Sequence, residues 1–359
     1  MPRYPLIRMP AVLIVLVTIL LGACSVARPA VQTVAVLTTP DSPSQPTTTT
    51  PPTIKPTATT PPTESAAPTG TALPATDTLT PSPTHMPPLS GNGGGVLAFI
   101  AERGGIPGIY VMNADGSDQR LVTDQFDTNP AWSPDGNKLA FTSHRGNVIA
   151  IYVIDLSTGK FAPFTRTKRS PSQPDWSPDG EKIAHIDNPA HPGIDYELFV
   201  INADGSSPQQ ITDTAGYQTY SAPDWSPDGS RLIVASDQNG NNDIFLIDPD
   251  GANQQQLTFT QAHERSPAWS PDGTRIAFES NRAGNWEIYV MNRDGSGVQR
   301  LTDDPRGDLM PAWSTDGSLI AFQTDRDGNW EIYLMATDGS NPIRVTNNDW
   351  KDAEPAWKP

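Results

Sequence analysis

One phrase recurs along this chain at nearly constant spacing, and it limits the fold more than any other feature. "PAWSPDG" begins at Pro130 and Pro267, "PAWSTDG" at Pro311 and "PDWSPDG" at Pro174 and Pro223, and the chain ends on "PAWKP", Pro355 to Pro359. The tryptophans of these phrases, at 132, 176, 225, 269, 313 and 357, stand 44, 49, 44, 44 and 44 residues apart. A period of this length marks an array of identical supersecondary units.

The unit reads "PAWSPDGTRIAFESNRAGNWEIYVMNRDGSGVQRLT" and parses into four short strands. The first, A, surrounds "PAWS". "SPDG" then places Pro, Asp and Gly where a type I turn closed by a left-handed glycine needs them. "RIAFES" is strand B, "NRAGN" a second turn, "EIYVMN" strand C, "RDGS" a third turn and "VQRLT" strand D. Strands B and C are almost continuously apolar, which suits sheets packed on both faces. Four strands in a unit of about 44 residues define a β-propeller blade.

The two ends of the array complete each other. "VLAFIAERGGIPGIYVMNADGSDQRLV" supplies strands B, C and D without an A, and "PAWKP" supplies an A alone. Joined, they form one blade from both ends, giving an all-β, six-bladed propeller of four-stranded antiparallel blades. Such closure leaves no exposed sheet edge at the seam. The phrase "PAWSPDG…IAF…IYVM…DG…LT" resembles the TolB-type, WD40-like β-propeller repeat over about residues 95–359. The resemblance implies the fold and a general binding role. TolB carries an N-terminal α/β domain and works with a peptidoglycan-associated lipoprotein. Residues 1–92 do not resemble that domain, so the partnership is not carried over.

Those residues divide in two. Residues 1–23 read as a signal peptide, with Arg3 and Arg8 before the apolar run "MPAVLIVLVTILLGA". "LGAC" ends on Cys24, the one cysteine of the chain, and resembles the lipobox of bacterial lipoproteins. Cys24 is therefore the expected lipidation site. Two acyl chains there would suffice for stable anchoring, and a lone cysteine excludes an intramolecular disulfide. Residues 24–92 are then the lipidated Cys and a stalk of Pro, Thr, Ser and Ala with little to bury, expected to stay unfolded. Residues 93–359 are the propeller. The expected location is a cell-envelope membrane, facing outward, with the membrane reached through the lipid alone.

Net charge is −16 for the chain and −17 for residues 93–359. Such a domain repels nucleic acid and attracts cations or basic partners. No Gly-x-Ser-x-Gly or HExxH motif is present. The function expected is a non-enzymatic binding or scaffold module for an envelope protein, peptide or glycan, with a monomeric propeller. The alternative is an extracytoplasmic glycan- or peptide-processing enzyme with its site on the variable face.

Antiparallel strands put the A–B and C–D turns at one end of the ring, and the B–C and D–A loops at the other. Uniform "SPDG" turns make the first end structural, each Asp bonding its own turn. The second end varies: the 49-residue step adds three residues in "HIDNPAHPGIDYE" and two in "DTAGYQTYSA". Tyr217, Tyr220, Trp286, Trp330 and Trp350 fall there and are candidate aromatic binding residues. Five positions before the phrase Trp stand Asp127, Glu264, Asp308 and Asp352, with Glu354 nearby. These carboxylates are expected to ring the channel mouth at the variable end. No cofactor is expected, and Ca²⁺ is the ion that such an oxygen set could take.

Overall fold

The computed structural model describes residues 95–146, 148–165, 169–189, 195–214 and 218–359. Cys24 and Tyr217 therefore lie outside the described residues. The strands form six four-stranded antiparallel sheets, and no helix occurs among the described residues.

Blade 1 is the composite one. Asp352–Trp357 lies beside Val96–Arg103, followed by Ile106–Asn113 and Arg120–Thr123. Its register pairs Leu97 with Trp357 and Ala98 with Ala356, and the Lys358 amide donates to the Val96 carbonyl at 2.8 Å. The last strand thus closes the ring as the repeat arithmetic requires. Blades 2 to 6 follow in chain order, each in the order A, B, C, D from the centre outward. Their A strands are Asp127–Trp132, Ser172–Trp176, Tyr220–Trp225, Glu264–Trp269 and Asp308–Trp313.

The core lies between blades. Ile276 and Phe278 of blade 5 pack with Ile233, Ala235 and Leu246 of blade 4, whereas Ala277, Ile288 and Val290 pack with Trp313, Ile320 and Phe322 of blade 6. Alternate residues of one strand thus serve opposite neighbours. This is why B and C read as continuous apolar runs.

Hydrogen bonds repeat with the sequence. In the first "SPDG", Asp135 Oδ1 accepts from Ser133 Oγ at 2.6 Å and from the Asn137 amide at 3.0 Å, while Gly136 takes a φ of 64°. Asp179, Asp228, Asp272 and Asp316 do the same in their turns. These aspartates are structural, as expected. The "DG" of the C–D turn has a second reason for glycine: a Cβ on Gly339 would sit 2.4 Å from the Leu301 carbonyl oxygen of the preceding blade.

The Thr closing most repeats is also an anchor. Thr302 Oγ1 accepts the Ile288 amide at 2.9 Å and donates to Glu287 Oε2 at 2.6 Å. Thr165, Thr212, Thr258 and Thr346 accept the corresponding strand C amides.

Candidate functional site: the axial cavity

All six A strands line a cavity of about 780 Å³, so it lies along the axis of the ring. A backbone irregularity shapes its wall. Each A strand carries a β-bulge, and the residue three before the Trp has left-handed φ: Asn129, Gln173, Ala222, Ser266, Met310 and Glu354, at 47° to 53°. A non-glycine residue here costs on the order of 1 kcal/mol, and the fold accepts that cost in every blade. The bulge residues line the cavity together with the prolines and tryptophans that follow them.

At five of the six the bulge also turns the amide away from its own sheet toward the preceding blade, where a side chain accepts it. The Asn129 amide donates to Glu354 Oε2 at 2.7 Å, Gln173 to Thr142 Oγ1 at 3.0 Å and Ala222 to Gln173 Oε1 at 2.8 Å. Met310 donates to Glu279 Oε2 at 2.8 Å and Glu354 to Gln323 Oε1 at 2.9 Å.

Four carboxyls line this cavity: Asp175, Asp224, Glu279 and Glu354. Asp175 and Asp224 replace the Ala of "PAW" in the two "PDW" phrases. Each binds the next blade, with the Trp225 amide donating to Asp175 Oδ2 at 2.8 Å and the Trp269 amide to Asp224 Oδ2 at 2.6 Å. Burial pushes Asp175 up to about 7, and burial together with the Asp175 charge holds Asp224 well above the carboxylate range. Glu279 is also pushed up to about 7 by burial, and burial raises Glu354. Near neutral pH Asp175 and Glu279 are thus partly protonated. They can donate as well as accept hydrogen bonds, between walls of proline and tryptophan.

The expected ring of carboxylates at the channel mouth is not formed. Asp127, Glu264, Asp308 and Asp352 are fully buried. Arg145 donates to Asp127 at 3.0 Å, Arg282 to Glu264 at 3.0 Å and Arg326 to both oxygens of Asp308 at 2.9 Å, while Asn348 donates to Asp352 at 2.7 Å. The bulge is the cause. By inserting one residue it shifts the alternation of the strand, so the residue five before the Trp shares the Trp's face and enters the packing between blades. Glu354, on the bulge itself, does reach the cavity. No group of three or more His, Cys, Asp or Glu able to hold a metal comes together among the described residues.

The variable-end aromatics differ in burial. Tyr220 is buried, its hydroxyl donating to Gln238 at 2.7 Å and accepting from Gln254 at 3.0 Å. Trp286 and Trp330 are half-buried and flank Gly307, and Arg265 stacks over Trp286 with 4.7 Å to the ring centroid. Trp350 alone is exposed. Trp286 and Trp330 thus lie beside one another at Gly307, whereas Tyr220 is withdrawn into the packing.

A six-bladed propeller whose inner strands enclose a polar axial cavity defines the class of protein. The chain matches the family model of the TolB beta propeller domain over residues 78–218, 215–306 and 260–359, and it belongs to that family. It is similar to the solved TolB of Acinetobacter baumannii, with 25% identity over 74% of this chain and 67% of that one, at a TM-score of 0.65. The putative TolB of Agrobacterium tumefaciens matches at 22% identity over 74% of this chain and all (100%) of its own, with a TM-score of 0.59. A chain of the nidogen–laminin complex shares the fold at 12% identity, covering 74% of this chain and 98% of its own, with a TM-score of 0.59. No curated protein matches the sequence significantly.

Proposed function

We propose that this protein is a non-enzymatic binding module of the cell envelope that takes an extended peptide segment of a partner protein into its axial cavity. The observation that carries this reading is the cavity itself. Its volume of about 780 Å³ lies within the range of pockets that bury a ligand. Its walls combine apolar rings with carboxyls able to bond a peptide backbone in both senses. A TolB-type propeller fits the role of a protein-binding scaffold. The signal-like residues 1–23, the lipobox ending at Cys24 and the Pro/Thr-rich stretch to residue 92 support a lipid-anchored propeller held off a membrane on a stalk.

An obstructing substitution tests the cavity. The position before the phrase Trp already holds Asp in two blades, so a side chain there is accommodated. Ala312→Arg should fold, fill the cavity and abolish capture of envelope proteins by the full chain. Equal capture by Ala312→Arg and the parent would reject the cavity as the binding site.

A further inference from the structure

The acceptors that serve the bulge amides fail at one place. In the other five seams the acceptor comes from one of two positions of the preceding blade: its own bulge residue, as with Glu354 and Gln173, or a strand B residue, as with Thr142, Glu279 and Gln323. For Ser266 these positions are Ala222 and Ala235, neither of which has an acceptor side chain. Ser266 has the same left-handed φ, 47°, so its amide is turned toward that seam as the others are. None of the side-chain bonds that serve the other five amides has a counterpart at Ser266, and its hydroxyl is engaged elsewhere, with Met310 Sδ at 3.2 Å.

The surroundings point to what fills the gap. Ser266, Asn242 and Arg265 all line the axial cavity. The Asn242 carbonyl accepts the Glu264 amide at 2.7 Å, which fixes Asn242 beside the start of this strand. Arg265, stacked over Trp286, brings the positive charge, and the side-chain amide of Asn242 and the Ser266 N–H bring neutral donors, the Asn242 N–H being held by His263 Nδ1 at 3.2 Å. The molecule itself holds templates for the missing group, because a glutamate carboxylate caps the equivalent amide of Asn129 and of Met310.

We infer that the seam between blades 4 and 5 is a subsite for a glutamate side chain of the bound peptide, whose carboxylate takes the Ser266 amide under the Arg265 charge. This rests on the axial cavity being the binding site. A ligand glutamate would complete the ring of capped amides, and the blade pair that lacks its own acceptor gains one only when occupied. Ser266 is half-buried on the cavity wall and has no side-chain acceptor of its own, so this seam rewards an incoming acceptor more than the five that are already filled.

The test follows the Ser266 amide resonance in the full chain labelled with ¹⁵N-serine. Its assignment comes from Ser266→Ala, a change that the Ala at 222 shows to be compatible with this backbone. The probes are N-acetylglutamate methylamide, propionate and propylamine at millimolar concentration. The glutamate derivative and propionate should both move the resonance, and propylamine should not. Ala235→Gln copies Gln323 and should cap the amide internally, raise Tm and weaken the response tenfold or more. Ala222→Gln, copying Gln173, provides the same cap at a less enclosed position should the first variant fail to fold. A resonance unmoved by the glutamate derivative, or moved equally in a capped variant that folds, would overturn the subsite. A response to propionate alone would reduce it to an adventitious carboxylate site and overturn the peptide assignment. Partner capture that survives in both capped variants but is lost in Ala312→Arg would sink the subsite and leave the cavity reading standing. A Ser266 response together with unchanged capture by Ala312→Arg would do the reverse.

Discussion

The Trp269 amide donates to the Asp224 carboxylate across the seam between blades 4 and 5, at 2.6 Å. The same bond joins Trp225 to Asp175 one seam earlier, at 2.8 Å. These two contacts place a pair of carboxyls on the cavity wall and give stability a defined dependence on pH. The native state holds Asp175 up to about 7 and Asp224 well above its ordinary value, whereas an unfolded carboxyl titrates near about 4. A raised carboxyl pKa means that the native state binds the proton more tightly than the unfolded chain does. Stability is therefore lost as pH rises from about 4 through 7. Asp135 and Asp228 act in the opposite sense: hydrogen bonds from Ser133 and Ser226, followed by those of the turn residues, hold them down to about 2. Their contribution is lost as pH falls below about 4. Maximum stability should lie near pH 4–5 by this balance. Asp224→Asn keeps an oxygen for the Trp269 amide and removes the titration. It should be more stable than the parent at pH 8 and flatten the slope between pH 4 and 7. Denaturant titration at several pH values decides, and an unchanged slope would contradict the assignment.

Ring closure depends on the C-terminal strand. Trp357 is buried, pairs with Leu97, and donates its indole N–H to the Ala312 carbonyl at 3.1 Å in blade 6. Trp357→Ala should cost about 3–5 kcal/mol, and removal of residues 354–359 should cost more. Thermal denaturation measures both. A truncated chain that melts as the parent does would reject closure by this strand.

The Thr at the end of each repeat should matter more than its place next to a loop suggests. Thr302→Val removes the acceptor of the Ile288 amide and a donor to the buried Glu287. A loss of about 2–3 kcal/mol is expected, read by denaturant titration. Thr302→Ser keeps the hydroxyl and should recover most of it.

The buried acids before each A strand should prove structural. Arg326→Met leaves Asp308 without the guanidinium that holds both of its oxygens. Removing one partner of such a pair costs about 3–5 kcal/mol. Calorimetric titration of Ca²⁺ should give no heat that Asp308→Asn abolishes.

For the N-terminus, Cys24→Ala should move the protein from the membrane fraction to a soluble or uncleaved form. Unchanged fractionation, together with unchanged incorporation of labelled lipid, would reject the lipobox.

The fold was legible because a repeat states its geometry several times over. The turn aspartates, the apolar B and C strands and the split blade all follow from "PAWSPDG" and its spacing. The site was less legible, for one physical reason. A single bulge residue reverses which residues of strand A face the axis, and bulges leave no mark in an apolar–polar pattern. Asp127, Glu264, Asp308 and Asp352 therefore turn into the packing between blades, and Asp175, Asp224 and Glu279 line the cavity instead. A signal for two of these was present in the change from "PAW" to "PDW". In a repeat, the position that breaks the pattern with a charge next to a buried Trp is the one to examine. Glu279 gave no comparable sign, because its strand B equivalents, Ile100, Thr142, Ile186, Ala235 and Gln323, are already mixed.

Site-specific photo-crosslinking tests the central claim most directly. A benzophenone side chain is placed at Pro178, exposed on the rim of the cavity, or, separately, at Phe259, which is 74% exposed on the D–A loop of blade 4. Both full-length proteins are irradiated in intact cells. If the axial cavity takes the partner, position 178 yields a discrete protein adduct and position 259 yields none. A discrete adduct from 259 with none from 178 would contradict the account.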